Sequence, residues 1–187
     1  MNRDNSSCDG EIHPKAIEGM YLFNLRKFFE AHEELEIAWN EEKGEVRDLY
    51  RGILQVAVTY LHITRGNYDG AIKVYKRSQR WLESWSDICK GINVKQFQVD
   101  ARNVMNEVER LGKERIGEFD ISLFKKIQFF TAEDGGESQH APSAVLGEGQ
   151  HWICDRCGNK MHEKNCKVTC PNCGNRFDCS DLNLYFD

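Results

Sequence analysis

Four cysteines near the end of the chain have the spacing of a metal site. They form two Cys-x-x-Cys pairs, Cys154 with Cys157 and Cys170 with Cys173, with 12 residues between the pairs. A glycine follows each pair and lets the backbone turn back, so that amide N–H groups face the sulfurs. Four thiolates in tetrahedral geometry suit Zn²⁺. The sequence therefore predicts one zinc ion held by Cys154, Cys157, Cys170 and Cys173.

This zinc is expected to be structural, because a site closed by four thiolates leaves no open position for a substrate. Residues 150–187 are too few to bury enough apolar surface to fold alone. Zinc can contribute on the order of 10 kcal/mol to such a fold. Alternating residues at 151–154 and 181–186 favour strands, so the segment is predicted to be a small β-rich zinc ribbon. Iron in a rubredoxin-like site is the alternative, and the roles of His162, Cys166 and Cys179 stay open.

The distribution of cysteines and the N-terminal residues indicate a reducing compartment. Six of the eight cysteines fall in the last 34 residues, and in a reduced chain such clustering indicates metal binding instead of disulfides. The first ten residues have no apolar stretch typical of a signal peptide. No apolar run approaches the roughly 18 to 20 residues that cross a bilayer. We therefore expect a cytoplasmic protein with reduced thiols and no membrane partner.

A change of composition at residue 131 divides the chain. Residues 131–149 contain four glycines, one proline and four acidic residues, with no basic or aromatic residue, so they are predicted to be a flexible acidic linker. Two domains follow from this, 1–130 and 150–187. The first carries 20 basic and 21 acidic side chains, and the second carries five of each. Neither has the strongly basic balance that is typical of nucleic-acid-binding domains.

Apolar residues three and four positions apart predict helices throughout residues 1–130. The first expected helix begins at Pro14 and the second near Phe28, and Gly44 separates the second from the third. The last three helices are expected over about Glu45–Arg65, Tyr68–Trp85 and Lys95–Leu111. The third helix has apolar residues around most of its circumference, which predicts a position at the centre of a bundle. The predicted fold is an all-α bundle of about five helices, followed by the zinc ribbon.

The second and fourth helices begin with a similar pattern. Three positions recur forty residues later, as Phe28, Ala31 and Leu35 correspond to Tyr68, Ala71 and Tyr75. Repeat arrays need about three units or more for stability, and two are found. The favoured interpretation is therefore a pair of similar helical hairpins in one bundle, with a peptide-binding solenoid as the alternative.

Polar residues interrupt the apolar faces of the second and third helices. His32 and Glu36 share a face of the second helix, and a polar stripe follows the third: Arg51, Gln55, Thr59 and His62. If the two helices pack together, six side chains could meet: His32, Glu33, Glu36, Gln55, His62 and Arg65. A buried, hydrogen-bonded network is the favoured interpretation. A metal or catalytic site is the alternative, although bundles that bind two metals usually present Glu-x-x-His and here the spacing is His-x-x-x-Glu.

Several segments of the chain resemble the bacterial family described as domain of unknown function 309. They are Phe23-Asn24, Phe28–Glu33, Leu35-Glu36, Trp39, Gly52–Ala57, His62, Arg65-Gly66-Asn67, Gly70-Ala71 and Gly91–Val94. The resemblance covers about residues 14–100 and implies an all-helical fold with no assigned activity. Arg26 stands where the family usually has glycine, and Arg51 where it usually has glutamine. The zinc ribbon is not part of the family pattern.

Three functions are compatible with these residues. The closed metal site, the linker and the lack of a nucleophile–base or phosphate-loop motif favour a non-enzymatic interaction or adaptor module with an unidentified partner protein. The first alternative is a metal-assisted hydrolase that uses His32, Glu33, Glu36 and His62. The second is nucleic-acid binding through the ribbon, whose basic and aromatic side chains could contact phosphates and bases. Because the ribbon carries as many acidic as basic residues, such binding is expected to be weak.

Overall fold

The computed structural model describes residues 5–131 and, further along the chain, residues 162–164, 167–169, 171–172 and 176–178. The chain divides into two compact units, Met1–Gly136 and Glu137–Asp187. Within the described residues of the first unit there are five α-helices: α1 (Pro14–Asn24), α2 (Phe28–Glu41), α3 (Arg47–Thr64), α4 (Tyr68–Leu82) and α5 (Val94–Arg115). None of these helices is long and apolar enough to cross a membrane.

The predicted helical bundle is confirmed, with small differences at the helix ends. Helix α4 ends at Leu82, three residues before the expected end at Trp85. The continuous part of helix α5 ends at Leu111, as expected, and a further helical turn beyond it reaches Arg115. Gly112 interrupts that last turn with a φ of 71°, a left-handed conformation that glycine adopts without a steric penalty.

Helix α3 lies at the centre of the bundle, as its apolar circumference predicts. All 15 residues from Leu49 to Ile63 are buried. Helices α2 and α4 pack along α3, α1 packs on α2, and α5 packs on α4. Gly52 permits the close approach of α4, because a Cβ atom at this position would lie 2.6 Å from Leu82 Cδ2.

The α1–α2 and α3–α4 connections form the same turn. After α1, the amides of Arg26 and Lys27 donate to the carbonyl groups three and five residues earlier, at 2.8 and 3.0 Å. The amides of Gly66 and Asn67 make the corresponding bonds after α3, at 3.0 and 2.9 Å. This is the Schellman motif, whose central residue is left-handed, with φ of 62° at Arg26 and 68° at Gly66. The internal repeat is therefore a pair of similar helical hairpins.

Residues 119–130, which we call the strap, return across the bundle after α5. A short antiparallel hairpin, β1 (Ile88–Cys89) and β2 (Ile92–Asn93), follows α4. The end of the strap pairs with β2 through an antiparallel bridge between Ile92 and Phe129. The strap thus adds a third extended segment beside this hairpin.

Two side chains fix the strap to the helices. The ring of buried Phe124 stacks on that of Tyr60, with centroids 4.4 Å apart. Asn24 binds the backbone of Ile127 twice: its Nδ2 donates to the carbonyl oxygen at 3.0 Å, and its Oδ1 accepts from the amide at 2.7 Å. The strap therefore closes the bundle over the end of α1 and over α3.

A disulfide joins Cys8, at the end of the 3₁₀ helix Asn5–Cys8, to Cys89 in β1. The two residues are 81 positions apart. Restricting an unfolded loop of this length stabilises the fold by about 4 kcal/mol in the chain-entropy view. The expectation of reduced thiols does not hold for this pair. Sequence spacing could not indicate it, because the tertiary fold alone brings the two residues together.

In the described part of the second unit, β3 (His162–Lys164), β4 (Lys167–Thr169) and β5 (Arg176–Asp178) form an antiparallel sheet in the order β3-β4-β5. The residues predicted to bind zinc lie outside the described residues: Cys154, Cys157, Cys170 and Cys173. The segments 151–154 and 181–186, predicted as strands, and Cys166 and Cys179 also lie outside them. The zinc ribbon therefore stays a prediction.

The left-handed conformation of Arg26 leads to a stability prediction. This conformation costs an L-residue about 1–2 kcal/mol, and glycine adopts it freely. We expect Arg26→Gly to raise the free energy of unfolding by roughly 0.5–1 kcal/mol, since the greater entropy of the unfolded chain offsets part of the gain. Denaturant titration of the full chain measures the change.

The equivalent turn provides a matched control for this substitution. A Cβ atom at Gly66 would meet nothing nearer than Ile116 Cγ2 at 4.0 Å, so Gly66→Ala tests the backbone alone. It should lower the free energy of unfolding by about 1 kcal/mol. A lower stability of Arg26→Gly, or no effect of Gly66→Ala, would contradict the account of the two turns.

Candidate functional site

The six polar residues singled out in the sequence lie along α2 and α3 at different depths. The imidazoles and the amide are buried, with 5% of His32, 1% of Gln55 and 1% of His62 exposed. Glu33 and Glu36 are half-buried on α2. Burial raises the pKa of Glu36, and the neighbouring charge of Glu33 adds to this effect. Arg65, the C-cap residue of α3, is exposed.

Contacts between α2 and α3 show which of their residues face each other. The rings of Phe28 and Tyr60 are 5.4 Å apart, and the Arg51 guanidinium lies 4.6 Å from the centre of the Trp39 ring. Residue numbers therefore rise along α2 as they fall along α3. Counting four residues along each helix from the first pair places His32 level with residue 56.

His32 and His62 consequently occupy different places in the bundle. His32 is level with residue 56 and so adjacent to Gln55 along α3. His62 lies six residues beyond that level, which corresponds to about 9 Å along the helix axis. Among the residues that the structure describes, no three His, Cys, Asp or Glu side chains converge in a group that could hold a metal ion.

The environment of His32 favours a neutral imidazole. Its ring stacks on Phe29 with centroids 6.3 Å apart. Burial lowers the pKa of His32 to about 4. Its Nδ1 atom and the Oε1 atom of Gln55 are both buried and have no hydrogen-bond partner within the described residues. The α2 histidine is therefore an uncharged core residue at neutral pH.

His62 belongs to the corner between α3 and α4. Asn67 caps α4, with its Oδ1 atom accepting from the amide of Gly70 at 3.0 Å, and its Nδ2 atom lies 3.0 Å from His62 Nδ1. Because an amide NH₂ group only donates, Nδ1 is the acceptor, and a neutral ring carries its proton on Nε2. A Cβ atom at Gly70 would lie 2.7 Å from His62 Nδ1. The contacts among these three residues thus fix the end of α3 against the start of α4.

Arg51, which the sequence placed in the polar stripe of α3, lies between two indole rings. Its guanidinium is 4.6 Å from the ring of Trp39 and 4.3 Å from the ring of Trp81. The exposed arginines Arg47 and Arg80 lie 5.7 and 4.5 Å from these same rings. A desolvated cation–π contact can contribute about 2 kcal/mol, and only 7% of Arg51 is exposed. This array joins α2, α3 and α4, and the sequence pattern did not indicate it because its members are far apart in the chain.

An open cleft of about 620 Å³ lies between the end of α1, the start of α5 and the strap. Polar groups along its wall are already bonded within the protein. Gln96 Nε2 donates to Asp100 at 2.9 Å, and Gln128 Oε1 accepts from Asn93 at 3.1 Å. The wall also carries Lys125 and Lys126, exposed on the strap. The cleft has room for a small polar molecule, and its lining residues include no serine, cysteine or histidine.

Comparisons with known proteins agree with the resemblance over part of the bundle. Residues 16–74 match the model of the family described as Domain of unknown function (DUF309). A protein of Aquifex aeolicus (strain VF5), named "Uncharacterized protein", is 28% identical over 93 residues. The alignment covers 49% of this chain and 28% of that protein, so it spans less than a third of the relative's length. The expected resemblance is thus confirmed for α1 to the first half of α4.

Residues that carried the resemblance have structural roles in the bundle. Asn24 binds the strap, Gly52 admits α4, and the corner of α3 and α4 uses His62, Asn67 and Gly70. These roles specify how helices pack and turn. The family description itself names no activity. The roles of these matched residues are in the packing and turning of the helices.

The depressed pKa of His32 predicts a pH-dependent stability. Because its value of about 4 in the folded protein lies below the ordinary pKa of 6.5, the unfolded chain binds a proton between these pH values and the folded chain does not. Stability from this group is therefore lost as pH falls, by up to about 1.4 kcal/mol per pH unit. Between pH 7 and 4.5, the wild type should lose roughly 2–3 kcal/mol more than His32→Gln.

Denaturant titrations at several pH values measure this difference. The two proteins should show parallel stability between pH 7 and 8.5, where His32 does not titrate, and this range is the internal control. Parallel curves below pH 6.5 as well would contradict a buried, neutral His32.

Proposed function

We propose that this protein is a non-enzymatic interaction module, in which a helical bundle and a zinc ribbon bind a partner protein. The observation that carries the proposal is the burial of His32 and His62, which are 5% and 1% exposed. A general acid or base must come within hydrogen-bond reach of its substrate. A substrate could reach neither imidazole without opening the bundle, so the surfaces that act in function are those on the outside.

The solvent face of α4 is one such surface. Lys73, Lys76 and Arg80 are exposed, and Arg77 is half-buried beside them, opposite the buried face of the helix. Within the described part of the chain, Lys73, Lys76 and Arg77 make no ion pair or hydrogen bond. Unpaired cations at this spacing fit an acidic partner surface, where complementary charge speeds association and excludes wrong partners.

The proposed zinc ribbon supplies the second surface. A turn at Pro171 and Asn172 lies between Cys170 and Cys173, as a metal-binding Cys-x-x-Cys turn requires. Strand β4 ends just before this turn and β5 begins after it. In the proposal, Cys154 and Cys157 complete a tetrahedral site for one structural Zn²⁺, which stabilises a unit too small to fold otherwise.

Metal analysis of three purified full-length proteins tests the zinc proposal and the hydrolase alternative together. The wild type should contain about one zinc per chain, Cys170→Ser should contain almost none, and the matched control His62→Gln should keep the metal. Full zinc retention in Cys170→Ser would contradict the ligand assignment. Loss of metal in folded His62→Gln would instead favour a metal site in the bundle.

Charge reversal on α4 tests the interaction surface. With a partner identified by cross-linking and the complex rebuilt from purified components, Lys73→Glu/Lys76→Glu should weaken binding by at least about tenfold. The matched control, Lys125→Glu/Lys126→Glu on the strap, should leave binding nearly unchanged. Equal effects of the two double variants would exclude the α4 face as the specific surface.

Nucleic-acid binding through the ribbon remains the alternative, and the cations of α4 could add to it. Its test is a titration of duplex and single-stranded oligonucleotides at two salt concentrations. We expect affinity no tighter than the non-specific range of about 10⁻⁴ to 10⁻⁶ M. Submicromolar binding that is lost in Lys73→Glu/Lys76→Glu would replace the partner protein with nucleic acid.

A further inference from the structure

The two cysteines of the disulfide differ in their access to solvent. Cys8 is half-buried at the end of the N-terminal 3₁₀ helix, whereas Cys89 is 0% exposed in β1. Thiol–disulfide exchange requires a thiolate to attack a disulfide sulfur, and its rate depends on which sulfur can be reached. An external thiol or disulfide therefore meets Cys8 first.

The N-terminal residues hold Cys8 beside Cys89 through backbone contacts as well. The amide of Lys90 donates to the carbonyl oxygen of Cys8 at 3.0 Å, and Lys90 Nζ donates to the carbonyl oxygen of Glu11 at 3.1 Å. Further along, the amide of His13 donates to Tyr50 Oη at 3.0 Å. These bonds do not involve the sulfurs, so they can keep the two thiols close when the disulfide is reduced.

We propose that Cys8 is a modification site for low-molecular-weight disulfides of the glutathione class, and that Cys89 is the resolving thiol. In the reduced protein, the Cys8 thiolate attacks one sulfur of glutathione disulfide. The S–S bond of the oxidant breaks, one glutathione leaves as a thiolate and takes up a proton, and Cys8 carries the other glutathione. The Cys89 thiol then loses its proton and attacks the sulfur of Cys8, which expels the second glutathione.

The net reaction oxidises two protein thiols to one disulfide and reduces one glutathione disulfide to two glutathione thiols. The reverse reaction begins when a glutathione thiolate attacks Cys8, because the sulfur of Cys89 is covered. The exchange thus forms or breaks the covalent link between the N-terminal 3₁₀ helix and β1, and it does so independently of the proposed partner binding and zinc site.

Peptide mapping of full-length, zinc-loaded protein tests this order of events. Trypsin places Cys8 alone in peptide 4–15 and Cys89 alone in peptide 81–90, so the other cysteines do not interfere. Reduced wild type, Cys8→Ser and Cys89→Ser are each mixed with glutathione disulfide and quenched over time. Circular dichroism and thermal melting establish that the variants are folded. A urea-unfolded sample of each protein gives the reactivity of the thiols in the unfolded chain.

In folded protein, the wild type should form linked peptides 4–15 and 81–90, and Cys89→Ser should accumulate a stable glutathione adduct on Cys8. In Cys8→Ser the adduct on Cys89 should form at least about tenfold more slowly, because it needs local opening of the fold, and this difference should vanish in urea. Comparable rates at the two cysteines in folded protein, or no adduct on Cys8 in Cys89→Ser, would overturn the proposal. If a serine variant does not fold, the test uses the transient glutathione adduct in the wild type. The proposal requires this adduct on peptide 4–15, and an adduct on peptide 81–90 instead would overturn it.

Discussion

The burial of α3 is the constraint on which the rest of the bundle depends. Fifteen consecutive residues of this helix are buried, so apolar side chains on all its sides must pack against neighbouring elements. Helices α2 and α4 cover its length, and the strap adds Phe124 against Tyr60. Gly52 matters for the same reason, since a larger residue there would hold α4 away from the helix that it covers.

A helix buried on all sides must also accommodate its own polar residues, and the contacts differ from one residue to the next. Arg51 keeps its charge between two indole rings. Thr59 Oγ1 donates to the carbonyl oxygen of Gln55 at 2.8 Å, and His62 accepts from the cap of the next helix. On the neighbouring helix, His32 is held neutral by burial. Contacts within the bundle thus account for Arg51, Thr59 and His62, whereas Gln55 Oε1 and His32 Nδ1 have no hydrogen-bond partner within the described residues. The chemical variety of buried polar residues is weak evidence for catalysis.

Cysteine has two distinct roles in this chain if the proposed zinc site is correct. Cys8 and Cys89 are linked to each other in the first unit, whereas the proposed ligands of the second unit must stay thiolates to hold a metal. A compartment in which this disulfide and the thiolate ligands coexist favours thiol–disulfide exchange at an accessible sulfur over permanent oxidation of every thiol. The half-buried position of Cys8 fits such an exchange.

The sequence by itself determined the helices, their order and the central position of α3, because hydrophobic periodicity depends on local spacing that the chain displays directly. It also indicated the two equivalent hairpins through the forty-residue repeat, and the turn at Arg26 follows the pattern even without a glycine. Only the tertiary structure decided which distant residues meet. Cys8 with Cys89, Asn24 with Ile127, and Arg51 with Trp81 are contacts between separate elements. The separation of His32 from His62 was likewise set by the antiparallel alignment of α2 and α3, which single-helix periodicity does not encode.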